Sequence, residues 1–489
     1  MSRILCPALE RVRRSPEDAA ALVQSGWTVA TTGTTTGGYP RAFFRALTER
    51  AEAGVVGELC LWSIAPLGDP VDGALARARA LRRRLGMQAN PDLTQAINQG
   101  QVSYADWGVS AFCRKARSGA FGRPDVAVVE VAGIAEDGTL IPSLCLGDAP
   151  TMVALADRVV VEVNHWLPLG LEGIHDVLVL DPPPRTKPIP ILKPLDRVGV
   201  PRIPVDPEKI VAVVESDEAP DPIAPAPIGE VQETIARNLR LFLEGEWHQG
   251  RLPKPLPPLQ VGLGALGDAV VEAMTEGPWG PISLHSPLLG DAALQLLEAG
   301  RIEAVSGSGL FLSAAVLERL PRHLEAIRER LIIRPVDVVA SPEVIGRLGC
   351  IGINSAIEVD VYGHANSSHL EGGKLVSGVG GSIEYARNAL VSVFATPSTA
   401  RAGAVSAVTA RVCHCDHTEH EVDVLVTEQG WADLRGTDPR ERAVRIIEGC
   451  AHPSHRPLLR ARFEKAGSLH EPQIQDDGTR LGAETAAPC

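Results

Sequence analysis

Apolar residues in the first half of the chain form short continuous runs that alternate with longer stretches of helical spacing. The runs that predict buried strands are WTVATTG (27–33), ELCLWSIA (58–65), DVAVVEVAGIA (125–135) and the end of MVALADRVVVEVN (152–164). Strands that alternate with helices favour a parallel, doubly wound sheet. The first half is therefore predicted to be an α/β domain.

The second half repeats this alternation. Strand-like segments are LQVGLG (259–264), PISLHS (281–286), IEAVSG (302–307), IIRPVDVVA (332–340), IEVDVYG (357–363), ALVSVFA (389–395) and VDVLVTEQG (422–430). Amphipathic helices are predicted between some of these strands and at 438–450 and 455–467. Two halves of similar construction indicate a pseudo-repeat, although no strict sequence period is present.

A proline-dense segment, 182–228, separates the halves and predicts an extended crossover, because proline sustains neither helix nor central strand. The predicted domains are 1–228 and 229–470, followed by a disordered polar tail, 471–489.

The composition of the chain indicates which partners and which location to expect. The formal net charge of −13 disfavours nucleic acid as a partner, and the basic stretch RARALRRRL (77–85) is predicted to be one helix face. No uncharged run is long enough for a bilayer, so no membrane partner is expected. Nine scattered cysteines and an N-terminus without a signal-peptide pattern favour a cytoplasmic protein.

Two motifs carry candidate chemistry. Gly262, Gly264 and Gly267 form G-x-G-x-x-G between a strand and a helix, which suits a dinucleotide, a CoA-holding turn or a tight turn without ligand. CHCDHTEH (413–420) is rich in metal-ligating side chains but lacks the spacing of a closed zinc site, so a polar turn is favoured and no metal is expected.

Several segments together resemble the acetyl-CoA hydrolase/transferase family, which groups with class I CoA-transferases such as succinyl-CoA:acetate CoA-transferase. They are TTGTTTGGYP (31–40), DRVVVEVN (157–164), RLGCIGINSAIEVDVYGHANSSH (347–369), SGVGGSIEYARNA (377–389), TPSTARAG (396–403) and DHTEHEVDVLVTEQGWADLRG (416–436). The resemblance spans nearly the whole chain. It implies two CoA-transferase-type α/β domains with mostly parallel sheets and a CoA thioester site in the cleft between them.

The resemblance also implies a glutamate nucleophile at the end of a strand, which becomes a glutamyl-CoA thioester. With Asp291 as anchor, that position falls on Pro287, and no Glu or Asp lies between Gly277 and Gly290. Ala340 stands where the family usually carries an asparagine, and Pro222 stands near an expected arginine. This chain is therefore identified as a divergent member that lacks the usual catalytic glutamate.

Other family positions are kept. Gly381 is implied to supply an oxyanion-hole amide, and Glu428 is implied to persist at its strand end, where a salt-bridged or capping role is the alternative. Arg401 replaces a lysine that meets a CoA phosphate. The expected CoA contacts are Gly262, Gly264, Ile357, Ser377, Gly380, Gly381 and Arg401.

His285 and Ser286 flank the missing nucleophile. His285 is a candidate general base and Ser286 a candidate nucleophile, although neighbours on a strand point to opposite faces. The alternative for His285 is a packed, hydrogen-bonded histidine at a strand end. With position 287 lacking a carboxylate, Glu428 becomes the leading acid or base.

The preferred hypothesis is an enzyme that takes an acyl-CoA as substrate and transfers the acyl group to a small acceptor, or hydrolyses the thioester, without a glutamyl-CoA intermediate. Such divergence suggests a specialised biosynthetic pathway. The alternatives are a true CoA-transferase that uses a different acid and a CoA-binding pseudoenzyme or partner subunit. A homodimer is expected from the resemblance.

Overall fold

The computed structural model describes residues 2–472, and its contacts divide the chain into two compact units. Unit 1 comprises residues up to 224 together with 284–348 and 375–384, and unit 2 comprises 225–283, 349–374 and the chain from 385 onwards. The predicted domain boundary at 228/229 stays a prediction, and the two later segments of unit 1 fall in the domain predicted to be C-terminal. Most of the predicted tail, from residue 473, lies outside the described residues.

The large sheet of unit 1 has eight strands among the described residues. They are β1 (Thr28–Thr31), β2 (Leu59–Trp62), β3 (Leu81–Leu85), β4 (Ser103–Ala105), β5 (Val126–Ile134), β6 (Leu140–Pro142), β7 (Arg158–Asn164) and β8 (Ile210–Ser216). Their order is β4-β3-β2-β1-β5-β7-β8, with β6 beside β5. The β5–β6 pair is antiparallel and the others are parallel, which confirms the predicted α/β class.

The direction in which strands are added reverses between β1 and β5. In open α/β sheets such a switch point opens a crevice at the carboxyl ends of the strands. The threonine- and glycine-rich segment 31–40 begins at the end of β1, at this switch point. Its turn is closed by Thr34, whose amide donates to the Gly37 carbonyl at 2.9 Å.

Strand β5 shows why continuous apolar runs in this sequence predict strands. All nine of its residues are buried, as expected for a parallel strand covered on both faces. Two acids interrupt this interior: Glu130 on β5 lies directly beside Glu162 on β7. Glu162 accepts hydrogen bonds from the amides of Ala42 (3.2 Å) and Phe43 (2.9 Å), at the start of the helix Arg41–Glu52. The buried carboxylate thus satisfies amides that helix starts leave unpaired.

The prediction of a basic helix face over 77–85 was wrong, because Leu81–Leu85 form strand β3. Arg84 is completely buried there, and its Nε donates to Asp72 Oδ1 at 3.0 Å. Its remaining guanidinium hydrogens bind backbone carbonyls, including that of Ser63 at 2.7 Å. A guanidinium compensated in this way can occupy a strand interior, which residue charge alone does not predict.

The proline-dense segment 182–228 contains an element that the sequence did not predict, because Ile210–Ser216 within it form edge strand β8 of the sheet. One further expectation needs correction. Segment 332–340 is not one strand, because the strand Leu331–Ile333 ends before Pro335 and a short helix, Val336–Val339, follows. Proline at 335 is compatible with a helix start but not with continued strand pairing.

The other elements of unit 1 surround these strands. Its helices are Pro7–Glu10, Pro16–Ala20, Arg41–Glu52, Ala74–Arg77, Pro91–Asn98, Val109–Arg117, Ala149–Leu155, Asp291–Glu298, Ala314–Ile327, Val336–Val339 and Pro342–Leu348. Its later strands form two parallel pairs, Leu288–Leu289 with Gly309–Leu310 and Ile302–Gly307 with Leu331–Ile333. Short 3₁₀ turns lie at Leu169–Leu171, Pro207–Lys209 and Arg328–Arg330, and a π-helical turn lies at Asp69–Gly73.

Unit 2 contains a mostly parallel sheet whose adjacent strands are Leu259–Val261, Ile351–Asn354, Val391–Ala395 and Val424–Thr427, with Gly430–Asp433 antiparallel at its edge. Its smaller strands are Glu358–Asp360, Ala365–Asn366, His369–Leu370, Thr399–Ala400, Val405–Ser406 and Val408–Thr409. Its helices are Glu230–His248, Ala265–Met274, Pro439–Gly449 and Arg456–Lys465, and 3₁₀ turns lie at Glu371–Gly373 and Glu419–Glu421. Strands Ile282–His285 and Lys374–Leu375 and helix Ser382–Asn388 each contain a unit boundary.

Each unit has its own apolar core. In unit 1, Phe43, Phe44 and Leu47 of one helix pack among the valines and leucines of β1, β2 and β5. In unit 2, Phe394, Leu425 and the two C-terminal helices enclose a separate cluster. Across residues 2–472, no helix combines the length and apolar character that crossing a bilayer requires.

Candidate active site

The strand end at HSP lies in unit 1 and is buried. His285 is the last residue of the strand Ile282–His285, as the sequence predicts, and its Nε2 donates to the Val339 carbonyl at 2.9 Å. The amide of Ser286 donates to the Ser306 carbonyl at 3.0 Å, and the Pro287 carbonyl accepts from the Ser308 amide at 3.0 Å. The backbone of all three positions is thereby fixed beside the strand Ile302–Gly307.

The side chain at position 287 faces the glycine expected to supply the oxyanion amide. A Cβ placed on Gly381 would lie 3.5 Å from Pro287 Cγ and 3.6 Å from Val109 Cγ2. Unit 1 therefore brings together Pro287 and Gly381, which are far apart in the sequence. Asp291, the anchor for this alignment, is the first residue of helix Asp291–Glu298 and accepts from the Ser313 amide at 2.9 Å.

Two carboxylates that the sequence did not single out lie next to the glycine-rich loop 377–381. Asp106 Oδ2 accepts from the Val379 amide at 2.6 Å. Glu384 turns away from the loop and accepts from the Ser110 amide at 2.9 Å, at the start of helix Val109–Arg117. Gly380 adopts a positive φ of 54° at the centre of this loop, which glycine tolerates best. Asp106 thus fixes the loop that carries Gly381, whereas Glu384 fixes the start of helix Val109–Arg117, whose Val109 lies beside Gly381.

The environment of His285 favours the neutral imidazole. Burial, followed by the nearby Arg334 guanidinium, lowers the pKa of His285 to about 3. Ala340, at the end of the helix Val336–Val339, is also fully buried. These contacts suit a packed histidine, and its catalytic role, like that of Ser286, stays a prediction.

His285 gives a testable pH dependence. The unfolded chain, with a histidine pKa of 6.5, protonates first, so the contribution of His285 to stability is complete above pH 6.5 and is lost as the pH falls towards 3. Relative to a His285→Asn variant, the wild-type free energy of unfolding should fall by up to about 1.4 kcal/mol per pH unit in that window. Urea unfolding between pH 4.5 and 7 measures this.

The matched control is His420→Asn, because the His420 side chain is 80% exposed. That variant should follow the wild-type pH dependence. An identical pH slope for wild type and His285→Asn would contradict the buried, neutral assignment of His285.

In unit 2, the glycine motif lies between strand Leu259–Val261 and helix Ala265–Met274. Gly264 has a positive φ of 104°, and a Cβ on Gly267 would lie 2.0 Å from the Gly262 carbonyl oxygen. Gly267 therefore allows the helix to pack against its own turn. Gly262 and Gly264 are exposed and have open space around their α-carbons, so the helix start is accessible to an anionic group.

The remaining predicted CoA contacts lie on separate loops. Arg401 is exposed at the tip of the hairpin between Thr399–Ala400 and Val405–Ser406, with a positive φ of 50°. Ile357 is partly buried, and its amide donates to the Asn366 carbonyl at 2.7 Å. Ser377 is partly buried and, like Gly380 and Gly381, belongs to unit 1. Their contact with CoA stays a prediction.

Glu428 follows the strand Val424–Thr427 in unit 2 and is half-buried. Burial raises the pKa of Glu428, but hydrogen bonds from Ser398 and Gln429 outweigh it, and the net pKa lies below the ordinary value. The Ser398 amide donates to Oε2 at 2.8 Å, its hydroxyl donates to Oε1, and Gln429 Nε2 donates to Oε1 at 2.9 Å. Glu428 is therefore an oriented carboxylate, suited to accept a proton or a hydrogen bond.

Similarity to known proteins decides the family. The model of the acetyl-CoA hydrolase/transferase N-terminal domain matches residues 9–215, and that of the C-terminal domain matches residues 317–463. The chain belongs to the acetyl-CoA hydrolase/transferase family. This confirms the resemblance drawn from the sequence motifs.

Relatives of this acetyl-CoA hydrolase/transferase family member include both transferases and hydrolases. The succinyl-CoA:acetate CoA-transferase of Clostridium kluyveri is 38% identical over 92% of this chain and 84% of the relative. The propanoyl-CoA:succinate CoA transferase of Escherichia coli is 37% identical over 94% of each chain. The acetyl-CoA hydrolase of Neurospora crassa is 34% identical over 97% and 94%.

Solved structures agree on the fold. RipA from Yersinia pestis has a TM-score of 0.73 at 20% identity, covering 94% of this chain and 98% of that one. The 4-hydroxybutyrate CoA-transferase of Porphyromonas gingivalis has a TM-score of 0.64 at 22% identity, covering 93% and 98%. The acetyl-CoA hydrolase/transferase family member is thus an enzyme with a CoA-transferase-type fold, from a family that uses CoA thioesters. Its relatives indicate CoA-transferase or acetyl-CoA hydrolase activity.

Proposed function

We propose that this enzyme takes an acyl-CoA and passes the acyl group directly to a small nucleophile or to water, without forming a glutamyl-CoA thioester. The observation that carries the proposal is Pro287, because no carboxylate occurs between Gly277 and Gly290 and the proline ring faces Gly381. Proline has no side-chain nucleophile. Glu384 lies three residues after Gly381, but it is engaged by Ser110 and the start of helix Val109–Arg117.

The proposed chemistry has two steps. The nucleophile, an amine, hydroxyl or water, attacks the thioester carbonyl carbon and loses its proton to a general base. The oxyanion that forms accepts a hydrogen bond from the Gly381 amide, which stabilises charge that is absent in the substrate. The intermediate then re-forms the carbonyl, the carbon–sulfur bond breaks, and the CoA thiolate takes up the proton.

The residues are assigned according to their environments. Glu428 is the proposed base, because its lowered pKa keeps the carboxylate ionised. His285 is a weaker candidate, because burial and the Arg334 guanidinium disfavour the imidazolium that a base must become, and Ser286 beside it is also buried. The proposed CoA-holding groups are Gly262, Gly264, Ile357, Ser377, Gly380 and Arg401.

The oligomeric state is carried over from the family resemblance, the location from the cysteine pattern and the N-terminus, and the type of pathway from the divergence at position 287. A homodimer, a cytoplasmic location and a role in a specialised biosynthetic pathway are parts of this proposal. The acidic composition agrees with the absence of nucleic acid among the proposed partners.

Trapping experiments test the proposal. Wild-type enzyme incubated with acetyl-CoA, or with a panel of acyl-CoAs, is expected to release free CoA while its intact mass stays unchanged after borohydride or hydroxylamine treatment. Thiol release is followed with a chromogenic disulfide, and protein mass by mass spectrometry.

Two results would overturn the proposal. A CoA-dependent covalent adduct on wild type would indicate an ordinary CoA-transferase that uses a different acid. Tight CoA binding without turnover across the panel, with water and amines as acceptors, would indicate a CoA-binding pseudoenzyme or partner subunit.

A further inference from the structure

A cluster in unit 2 has no part in the proposed acyl transfer. The segment 413–420, which the sequence suggests is a polar turn without metal, folds against His369. One ligand atom from each of His369, His414 and Asp416 lies within 4.8 Å of the other two. His369 lies far from this segment in the sequence, on the strand His369–Leu370, so the sequence does not predict the contact.

We propose that His369, His414 and Asp416 form a binding site for one divalent transition-metal ion of the Zn²⁺ type. Two imidazoles and one carboxylate suit a borderline metal, whereas Mg²⁺ and Ca²⁺ favour oxygen ligands throughout. The proposal is independent of the acyl-transfer mechanism.

The spacing of the ligand atoms supports the site. His414 Nε2 lies 3.2 Å from Asp416 Oδ1. Two ligands at about 2.05 Å from a tetrahedral ion are separated by about 3.3 Å, so this pair already spans one edge of the coordination tetrahedron. The His369 and His414 rings are 3.9 Å apart between centroids, and the ligand atom of His369 lies within 4.8 Å of those of His414 and Asp416.

The surrounding contacts hold two of the ligands in place. The Ser368 hydroxyl lies 2.7 Å from His369 Nδ1 and 2.7–2.8 Å from both oxygens of Asp416. The Ser367 amide also donates to Asp416 Oδ2, at 2.7 Å. With Nδ1 bonded to Ser368, Nε2 of His369 carries the lone pair available to a cation, and bonding of the second ring nitrogen is typical of metal-ligating histidines.

The burial of Asp416 and the exposure of His414 also suit a metal site. The Asp416 side chain is 4% exposed, whereas that of His414 is 44% exposed, so a cation could enter from solvent.

Cys413 lies next to this cluster, and its thiol is an alternative metal ligand. Its sulfur lies 3.8 Å from the His369 carbonyl oxygen and accepts a contact from Asn366 Nδ2 at 3.4 Å. The proposal gives the fourth position to water and not to this thiol.

Zn²⁺ titration of the full-length, EDTA-treated protein tests the site. Isothermal calorimetry should show one saturable equivalent per chain, and Zn²⁺ should raise the melting temperature. His369→Gln, His414→Gln and Asp416→Asn should each weaken binding tenfold or more. His414→Gln keeps the test informative if the buried positions impair folding, because His414 is largely exposed.

Controls separate this site from other ligands. His420→Asn, in the same segment, and Cys413→Ser should both retain wild-type affinity, and bound Co²⁺ should give no thiolate charge-transfer band. Non-saturable binding, unchanged affinity in His414→Gln, or a loss of affinity in Cys413→Ser equal to that in the ligand variants would overturn the proposal.

Discussion

Replacing Pro287 by glutamate is expected to create a covalent enzyme–CoA adduct that the wild-type protein does not form. The new carboxylate would start from a side-chain position that faces Gly381, the glycine whose amide is proposed to stabilise the oxyanion. A carboxylate held there can attack an acyl-CoA and exchange with the CoA thiolate, as covalent catalysis by carboxylates requires. Borohydride reduces such a thioester to an alcohol and hydroxylamine converts it to a hydroxamate, with CoA released in both cases. Intact-mass spectrometry after incubation with acetyl-CoA and either reagent therefore reads the adduct as a small mass change at the new glutamate.

The matched control for this variant is Pro287→Gln, which has nearly the same shape but no nucleophilic oxygen. It should show no adduct. Adding Ala340→Asn to Pro287→Glu restores the second family residue, and more adduct is expected. If folded Pro287→Glu gives no adduct and no exchange of labelled acetate into acetyl-CoA, position 287 is not the vacant nucleophile position. Melting temperature checks folding, since a buried carboxylate carries a desolvation penalty.

The strands of the fold could be predicted because their hydrophobic pattern is dictated by burial on both faces. Strand β5 is apolar at almost every position, and its burial matches that pattern. Strand β3 was missed for the opposite reason. Its arginines predict an exposed helix, and only the tertiary contacts of Arg84 with Asp72 and the Ser63 carbonyl make a buried strand possible.

The candidate site could be predicted in part. The hydrophobic pattern predicted the strand that ends at His285. The family resemblance identified Pro287 as the position that lacks the carboxylate. The family resemblance implies that Gly381 and position 287 serve one site, and the structure places them side by side. The contacts of Asp106 with Val379 and of Glu384 with Ser110 are long-range, no local spacing encodes them, and the sequence gives no signal for them.

The same limit applies to the cluster in unit 2. CHCDHTEH alone lacks metal-site spacing, and the third ligand, His369, reaches it only through the fold. A residue-by-residue interpretation of this segment therefore favours a polar turn, whereas the geometry favours a cation site.

Replacing Glu428 by glutamine is expected to lower kcat for CoA release by about 10²-fold or more, the usual contribution of a positioned general base. Glutamine keeps the shape and accepts the same Ser398 amide bond, so binding of acyl-CoA, and hence KM, should change little. The measurement is steady-state thiol release against acyl-CoA concentration at neutral pH, with melting temperature as a check on folding.

The pH profile distinguishes a proton acceptor from a merely structural carboxylate. A base must be deprotonated, so the rate should fall as the pH drops through the pKa of Glu428, and the hydrogen bonds that lower this pKa place the fall below the ordinary range. Ser398→Ala removes the hydroxyl donor and should move that fall to higher pH, with a smaller loss of kcat. If Glu428→Gln stays within twofold of wild type, or if Ser398→Ala leaves the acid limb unmoved, the proton must be taken by another group.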